Sequence, residues 1–465
     1  MTRARRLAGG LVATLGLGLL GAGAAQAAGD LDVVLRRAPG EVDVLTLNQY
    51  FGASLKAVLT ASATDFNAAL VQVLTQAAGN HVRARLDRQA AAIAHRRPDL
   101  VGLQEVLHAE CHDLPPTSGA CAEPAIAGAF VDQLELTLRA LQARHANYEV
   151  AARVVNFDIG SVRPALSGPG SLGMSAQGLP QVGGLDPGDL DLSLPEVGDL
   201  DPGDLAGDVD LAKPDLGDLP GLGDIPELGD LPGVPFAING KLGRLVAYDQ
   251  DVILRRHGIG TTPVAFACDG RQSAEGCSYA TQASVAVGGV PIAIRRGFVG
   301  VDTQLRGQAY RFVNTHLETQ EMAIQSGQAA ELLVALAGTP PDRALILVGD
   351  MNSSPADVAP VETPEVVPPY RQLVAAGLVD AWAARFGDAP GFTCCQDATL
   401  RNEVSTLDQR IDLILARAQP LLVRQARVIL DDPIDRTPAR PGQARLWPSD
   451  HAGFEALLSF RARVR

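Results

Sequence analysis

Residues 345–352, Leu-Ile-Leu-Val-Gly-Asp-Met-Asn, combine an apolar run with a polar turn. The four apolar residues before Gly349 are typical of a buried strand. Asp350 and Asn352 follow two residues apart, so they would point the same way if the extended backbone continues through the turn. A carboxylate and an amide at the end of a buried strand predict a polar site at one edge of a sheet.

A second polar pair follows a proline near the end of the sequence. Residues 447–451 read Trp-Pro-Ser-Asp-His. Adjacent residues on a regular strand face opposite sides of the sheet, so Asp450 and His451 can serve one site only from a loop or a strand end.

Further polar residues lie at or near the ends of apolar strands. They are Asn48, Glu105, His316 and Asp412. Hydrolysis of a phosphoester needs a divalent ion that neutralises phosphate charge, a positioned water, and help for the departing oxygen. Carboxylate and amide oxygens suit Mg²⁺, and imidazoles can contact a phosphate or move protons. These residue types predict a magnesium-dependent phosphodiesterase; Mn²⁺ and Ca²⁺ are alternative ions.

Six short motifs, in order along the chain, carry a family resemblance. They are Leu45-Thr46-Leu47-Asn48, Leu103-Gln104-Glu105, Asn314-Thr315-His316-Leu317, Gly349-Asp350-Met351-Asn352, Arg410-Ile411-Asp412 and Ser449-Asp450-His451. Together they resemble the endonuclease/exonuclease/phosphatase superfamily, which includes deoxyribonuclease I-like nucleases, inositol polyphosphate phosphatases and sphingomyelinases. The resemblance runs from about residue 41 to residue 460.

The resemblance implies a fold and a metal site. The fold would be a deoxyribonuclease I-like α/β (α+β) four-layer sandwich, in which two packed mixed β-sheets are flanked by helices. Glu105 would be the main metal ligand with Asn48 assisting it, and Asp450 would lie near a second metal position.

It also implies roles for the catalytic residues. Asp350 would position or deprotonate the attacking water, and Asn352 would orient the water and the phosphate. His451 would contact the scissile phosphate and be held by Asp412, and His316 resembles the phosphate-binding histidine of the phosphatase and sphingomyelinase branches. The resemblance does not fix which residue is the general base.

The pattern of apolar residues independently indicates a mixed α/β architecture, since strands and helices interleave without regular βαβ alternation. Helical spacing runs through residues 55–95 and ends before Pro98. The predicted strands lie at 42–48, 100–103, 148–157, 247–254, 280–287, 299–305, 310–315, 344–348, 410–415 and 454–460, and the other predicted helices lie at 130–141 and 320–336.

Composition divides the chain into three parts. Residues 1–27 have arginines, an apolar run and an Ala-Gln-Ala sequence, a pattern typical of a signal peptide. Residues 28–465 are predicted to form one domain that is secreted or periplasmic, without a transmembrane anchor. Residues 160–235, rich in Gly, Asp, Pro and Leu, are predicted to be a disordered insertion within that domain, with a calcium-responsive or surface-binding arm as the alternative.

The six cysteines fall into three close pairs, which suits an oxidising compartment. Local disulfides Cys111–Cys121 and Cys268–Cys277 are the simplest arrangement. Adjacent Cys394 and Cys395 would be a vicinal disulfide or two thiols.

Charge does not decide the substrate. The formal net charge is −14, but the stretch 186–230 alone carries −13 from 12 Asp, 2 Glu and one Lys. Arginine pairs at 255–256 and 295–296 favour a nucleic-acid substrate, whereas the acidic stretch opposes one. A secreted phosphodiesterase or nuclease is the first hypothesis. A sphingomyelinase-like phospholipid hydrolase, a phosphomonoesterase and a non-catalytic binding protein are the alternatives, and the oligomeric state stays open.

Two structural interpretations compete with these roles. Asp412 could form an ion pair with Arg410 instead of serving the site. His108, Glu110, Cys111 and His112 resemble a metal site, but they are predicted to lie in a loop beside the substrate entrance.

Overall fold

Two mixed β-sheets pack face to face, and helices cover their outer faces. The computed structural model describes residues 37–62, 64–159, 163–166, 172–175, 233–268, 270, 276–287, 290–319, 321–418, 420–439 and 443–460. The strands are β1 (Glu41–Asn48), β2 (Leu100–Gln104), β3 (His108–Leu114), β4 (Tyr148–Asp158), β5 (Arg163–Leu166), β6 (Leu172–Ser175), β7 (Val234–Ile238), β8 (Lys241–Arg256), β9 (Thr261–Pro263), β10 (Gly276–Ser278), β11 (Ala283–Val287), β12 (Val290–Ile294), β13 (Gly297–Leu305), β14 (Gln308–His316), β15 (Arg343–Asp350), β16 (Val379–Asp380), β17 (Asp412–Arg417), β18 (Leu422–Ile429) and β19 (Gly453–Ser459). The helices are α1 (Lys56–Leu59), α2 (Phe66–Gly79), α3 (Val82–Arg96), α4 (Gln133–Gln142), α5 (Met322–Ala337), α6 (Pro369–Ala375) and α7 (Ala381–Phe386).

Each large sheet contains one parallel pair among antiparallel neighbours. In the first sheet the order is β18-β19-β1-β2-β8-β3, β4 and β7 also pair with β8, and β1 and β2 are parallel. In the second the order is β10-β13-β14-β15-β17-β16, β9 pairs with β13, and β14 and β15 are parallel. The predicted mixed-sheet fold is confirmed.

Apolar side chains from both sheets fill the space between them, which makes the inner two layers of the sandwich. Val44 and Ile253 of the first sheet and Phe312 and Ile346 of the second belong to one buried cluster. Helices α3 and α4 cover the outer face of the first sheet, and α5 and α6 cover the outer face of the second. The amphipathic helices therefore bury their apolar faces and complete four layers.

The parallel pairs bring the predicted polar residues to one edge. Asn48 lies opposite Gln104 where β1 and β2 end, and His316 lies opposite Asp350 where β14 and β15 end. Asp412 begins β17 and pairs with Asp350. Because parallel strands end at the same edge of a sheet, chain topology alone assembles the site.

Strands β4 and β7 occupy one edge of β8 in succession. β4 pairs antiparallel along β8 down to Tyr248, and Ile159 N–H then donates to Ala247 C=O at 2.9 Å. β7 resumes in the same direction with Val234 opposite Leu245. The other edge of β8 carries β2 and β3. The segment between Ile159 and Val234 therefore interrupts what is otherwise one edge strand.

Most of the predicted insertion at 160–235 lies outside the described residues, as does the predicted signal peptide at 1–27. Within the described part, β5 and β6 pair with each other, and β7 begins at Val234. From Pro39 onward the chain forms one compact unit. In the described ranges, no helix has both the length and the apolar character needed to cross a bilayer.

Two element predictions were wrong. Residues 55–95 form α1, α2 and α3 rather than one helix, because the chain turns after Gly79 and His81 adopts a left-handed conformation with φ 43°. Residues 108–114 form β3 rather than a loop, since they pair with β8 from His108 opposite Tyr248 to Leu114 opposite Leu242.

The two local disulfides predicted from spacing are present. The Cα atoms of Cys111 and Cys121 are 5.6 Å apart, and those of Cys268 and Cys277 are 6.3 Å apart. The adjacent Cys394 and Cys395 are also paired. The disulfide at Cys111 removes that residue from the histidine cluster, where His108 and His112 instead contact Glu110 on the surface of β3.

Candidate active site

The Asn48 side chain joins the two sheets at the site. It is fully buried, and its amide nitrogen donates to Glu105 Oε1 at 3.0 Å and to Asp350 Oδ2 at 3.1 Å. Its oxygen accepts the Tyr50 backbone N–H at 2.9 Å. One amide therefore fixes the orientation of a carboxylate from each sheet.

His451 and Asp412 form a buried pair beside Asp350. His451 Nδ1 lies 2.8 Å from Asp412 Oδ2, and His451 Nε2 lies 3.7 Å from Asp350 Oδ2. The competing ion pair between Asp412 and Arg410 is absent from this part of the structure, because Arg410 binds Asp380 at 2.6 Å. Asp412 is thus placed to orient the imidazole.

His316 reaches the same carboxylate from β14. Its Nε2 lies 3.5 Å from Asp350 Oδ2, and its Nδ1 accepts from Arg296 Nη1 at 3.1 Å. A guanidinium can only donate, so the second nitrogen, Nε2, carries the proton of the neutral ring and points it at Asp350. Burial, Arg296 and His451 together hold the pKa of His316 well below its usual range.

The two histidines therefore differ in charge. Burial alone disfavours a charged His451, but Asp412 and Asp350 outweigh it and hold the pKa of His451 well above its usual value. Burial raises the pKa of Asp350, while His451 lowers it and Asp412 raises it further. At neutral pH the site thus combines an imidazolium, a neutral imidazole and a carboxylate that takes up protons more readily than a solvated one.

Glu105 and Asp450 provide oxygen donors at the open side of the site. Both side chains are partly exposed, and Glu105 Oε2 accepts the Phe51 N–H at 3.2 Å. Burial and the negative charge of Glu105 raise the pKa of Asp450 to about 7, although His451 and Arg85 oppose the shift. Two neighbouring carboxylates whose negative charges repel each other fit a divalent cation, which would neutralise that charge.

A second group of donors lies deeper. Atoms of Asp350, Asp412 and His451 lie within 4.8 Å of one another, as do atoms of Cys394, Cys395 and His451. The cysteine sulfurs are paired in a disulfide, which leaves the group with two carboxylates and the imidazole as the stronger ligand set.

The turn after β15 differs from the extended one expected from the sequence. Asn352 has φ 43°, its N–H donates to Asp350 Oδ1 at 3.0 Å, and its amide donates to Leu317 C=O at 3.0 Å. Gly349 has φ 145°, and a Cβ there would lie 1.9 Å from Thr315 C=O. Only glycine fits at that position, so it lets β15 approach β14 just before Asp350.

Sequence reasoning missed Arg85, a buried arginine of α3 that holds the site loops. Its guanidinium donates to backbone carbonyls of Gln49, Tyr50, Asn80 and Pro448 at 3.0–3.3 Å. Burial lowers its pKa to about 10. The signal was available, since Arg85 lies on the same face of the helix as the apolar residues of α3.

It also missed two acidic residues of β8. Asp249 and Asp251 are buried on one face of the strand, and Asp249 Oδ2 lies 3.4 Å from Arg296 Nη1. Burial raises the pKa of Asp249 to about 7, and burial followed by repulsion from Asp249 raises that of Asp251 well above its usual value. Their two-residue spacing inside an apolar strand was the available signal.

Three of the four arginines proposed to grip nucleic acid are bound by acidic residues of the chain. Arg255 binds Glu149 at 2.7 Å and Arg256 binds Asp99 at 2.5 Å. Arg255 lies opposite Leu100, at the end of β2 away from Gln104. Arg296 is buried against Asp249 and His316. The contacts of Arg255 and Arg256 weaken the sequence argument for a nucleic-acid substrate.

The chain is similar to several proteins whose structures have been solved. No family model matches the chain, and no curated protein matches it. An endonuclease/exonuclease/phosphatase from Beutenbergia cavernae is 17% identical, with a TM-score of 0.42 over 90% of this chain and 72% of the other. A mannosyl-6-phosphatase from Bacteroides thetaiotaomicron is 14% identical, with a TM-score of 0.42 over 90% and 100%. Truncated Caenorhabditis elegans TDP2 is 14% identical, with a TM-score of 0.40 over 90% and 98%. Among proteins of known structure, the chain is similar to endonuclease/exonuclease/phosphatase proteins.

Proposed function

We propose that the protein is a divalent-metal-dependent phosphoester hydrolase and that it acts on phosphodiesters. The observation that carries the proposal is the Asn48 amide, which joins Glu105 and Asp350 beside the His451–Asp412 pair. Six sequence motifs from six separate segments converge on this arrangement, and each supplies a residue type that phosphate chemistry uses.

Glu105 and Asp450 would hold the ion, with Mg²⁺ as the proposed species, and Asn48 would assist by orienting Glu105. The bound ion would supply charge neutralisation at the phosphate. Two protein carboxylates suit an ion that keeps several waters and takes phosphate oxygens as its remaining ligands.

The remaining residues would divide the work on phosphate and water. His451, charged and held by Asp412, would donate from Nε2 to a phosphate oxygen, and His316 would donate a second hydrogen bond from its neutral Nε2–H. Asp350 would orient the attacking water and accept its proton, since its pKa is raised. Asn352 would fix Asp350 through its backbone N–H.

Export to an oxidising compartment is part of the proposal. The pairing of Cys111 with Cys121 and of Cys268 with Cys277 supports it, because structural disulfides persist in such compartments. The arginine-led apolar segment at 1–27 supports it as well.

The direct test is hydrolysis of bis-(p-nitrophenyl) phosphate by metal-depleted protein to which Mg²⁺, Mn²⁺ or Ca²⁺ is added back. We expect activity only after addition of a metal, and near-complete loss in Glu105→Gln, because removing one charge from a hard-ion site weakens binding of the ion. Glu110→Gln is the matched control, since Glu110 is exposed on β3.

Full activity of Glu105→Gln at low metal concentration would exclude Glu105 as a ligand. Metal-independent turnover in the parent protein would exclude the proposed chemistry. A complete lack of hydrolysis with every ion, together with retained phosphate-ester binding, would favour the non-catalytic binding protein.

A further inference from the structure

An apolar cavity of about 120 Å³ adjoins the site. It lies between the short helix α1, helix α2 and the strands β3, β7 and β8. Its walls are almost entirely hydrocarbon and include, among others, Phe51, Leu55, Val58, Phe66, Val73 and Phe157.

Two residues that line the cavity also contact residues of the candidate active site. Phe51 lines it, and the same residue donates its N–H to Glu105 Oε2. Asp249 lines it as well and forms the ion pair with Arg296 that leads to His316. Along one face of β8 the surface thus changes from Leu245 and Ala247 in the cavity to Asp249 at its border. The cavity wall therefore includes one residue that hydrogen-bonds Glu105 and one that pairs with the arginine bound to His316.

Within the described part of the chain, the cavity is open rather than sealed. Phe51, Leu55, Val58, Phe66 and Ile159 are all only partly buried, although they are large and apolar. Helix α1 has no buried residue despite its sequence Lys-Ala-Val-Leu. Apolar side chains that converge on an open concave surface beside a polar site are typical of ligand pockets.

We infer that this cavity binds the alkyl chain of a lipid phosphodiester whose phosphate lies at the Glu105–His451 site. The inference rests on the proposed hydrolase function and narrows its substrate. Nucleic acid would leave the cavity empty, and Arg255 and Arg256, which favoured nucleic acid in the sequence, are bound by Glu149 and Asp99. An alkyl chain instead buries apolar surface in a pocket that provides almost no polar group.

The test compares alkyl p-nitrophenyl phosphodiesters that carry methyl, butyl or octyl groups, all kept below their micelle concentrations. We expect kcat/KM to rise about fourfold for each CH₂ group that enters the cavity, until the cavity is full. Val58→Trp should fill the cavity, so it should reduce the octyl ester to the level of the methyl ester and leave the methyl ester unchanged. Val334→Trp on the exposed face of α5 is the matched control and should keep the dependence on chain length.

Phe66→Ala provides a second variant, which enlarges the cavity and should move the preferred chain length upward. Calorimetric binding of octyl phosphate and methyl phosphate gives a readout that does not require turnover. We expect the octyl compound to bind more tightly in the parent protein, and Val58→Trp to abolish the difference.

Equal kcat/KM for all three esters would overturn the inference while leaving the hydrolase proposal intact. Faster cleavage of plasmid DNA than of the octyl ester, unaffected by Val58→Trp, would overturn it in the same way. Octyl-selective binding that is lost in Val58→Trp, without hydrolysis of any ester, would support the cavity assignment and overturn the hydrolase proposal.

Discussion

At the scale of single residues, the site depends on hydrogen bonds whose direction is fixed. Asn48 donates to two carboxylates, Arg296 donates to His316, and Asp412 accepts from His451. The contact with Arg296 determines which ring nitrogen of His316 carries its proton. The six motifs identified the candidate site residues in the sequence. Which atom donates in each contact could not be predicted, because it depends on distances between strands that are far apart in the sequence.

Asp350 and His451 should act as a unit. We expect Asp350→Ala and His451→Ala each to lower kcat by several orders of magnitude, because in the proposed mechanism one would orient the water and the other would hold the phosphate in the same step. The double variant should be little worse than either single variant. Steady-state kinetics on bis-(p-nitrophenyl) phosphate, with circular dichroism as the folding control, measures this.

Multiplicative losses in the double variant would contradict a shared role. Arg410 offers the comparison residue, since it neighbours Asp412 in sequence but binds Asp380. Arg410→Met should lower the free energy of unfolding. The kcat of the protein that remains folded should stay close to the parent value.

At the scale of elements, α3 supports the site through one guanidinium. Arg85 binds four backbone carbonyls, and these belong to the segment after β1, the turn between α2 and α3, and the segment before Asp450. The three loops have no regular secondary structure of their own. Their positions therefore depend on a side chain that the apolar pattern of α3 would assign to a leucine.

Replacing Arg85 should lower stability and activity together. Arg85→Leu leaves buried carbonyls without donors, so we expect the free energy of unfolding to fall by about 3–5 kcal/mol. Urea denaturation followed by circular dichroism measures the change. Arg83→Leu, on the exposed side of the same helix, should change it by less than about 0.5 kcal/mol. Equal stabilities of the two variants would contradict the role given to Arg85.

The sequence predicted the longer elements well and the short or interrupted ones poorly. Apolar runs identified β1, β2, β13, β14 and β15, because buried strands of a mixed sheet show continuous hydrophobicity. It missed β18, whose residues include two arginines and one glutamine, and it missed the break at Gly79-Asn80, a pair that commonly ends helices. The sequence did not predict β3, because its histidines and acidic residues alternate with Ala109 and Cys111 and leave no apolar run.

At the scale of the whole molecule, the segment between Ile159 and Val234 should be dispensable for the fold. Both of its ends are held against β8, opposite Ala247 and Leu245. Because only Val246 lies between these two partners on β8, joining Ile159 directly to Gly233 should restore one continuous edge strand. Gly233 must be kept, since its φ is 110° and a Cβ there would lie 2.6 Å from Leu245 C=O.

We expect the spliced protein to keep its thermal midpoint and its metal-dependent turnover of the methyl ester. A full-length variant with the aspartates of 186–230 changed to asparagine is the control that separates charge from length. If the acidic segment lies near the site, both variants should bind anionic polymers more tightly at low salt, and the gain should fade as salt screens it. Failure of the spliced protein to fold would make the segment part of the domain.

The arrangement of β4 and β7 also bears on how the polypeptide could be divided. Residues on both sides of the interruption are registered independently on β8, so the backbone connection between them does not determine strand pairing. Protease cleavage between 186 and 230 would then yield two polypeptides that remain associated as one particle. Expressed separately, the two pieces would complement each other, with Asn48 and Glu105 on the first and Asp350, Asp412 and His451 on the second. Hydrolysis would then report on their association, which makes the chain a candidate for a split-enzyme sensor.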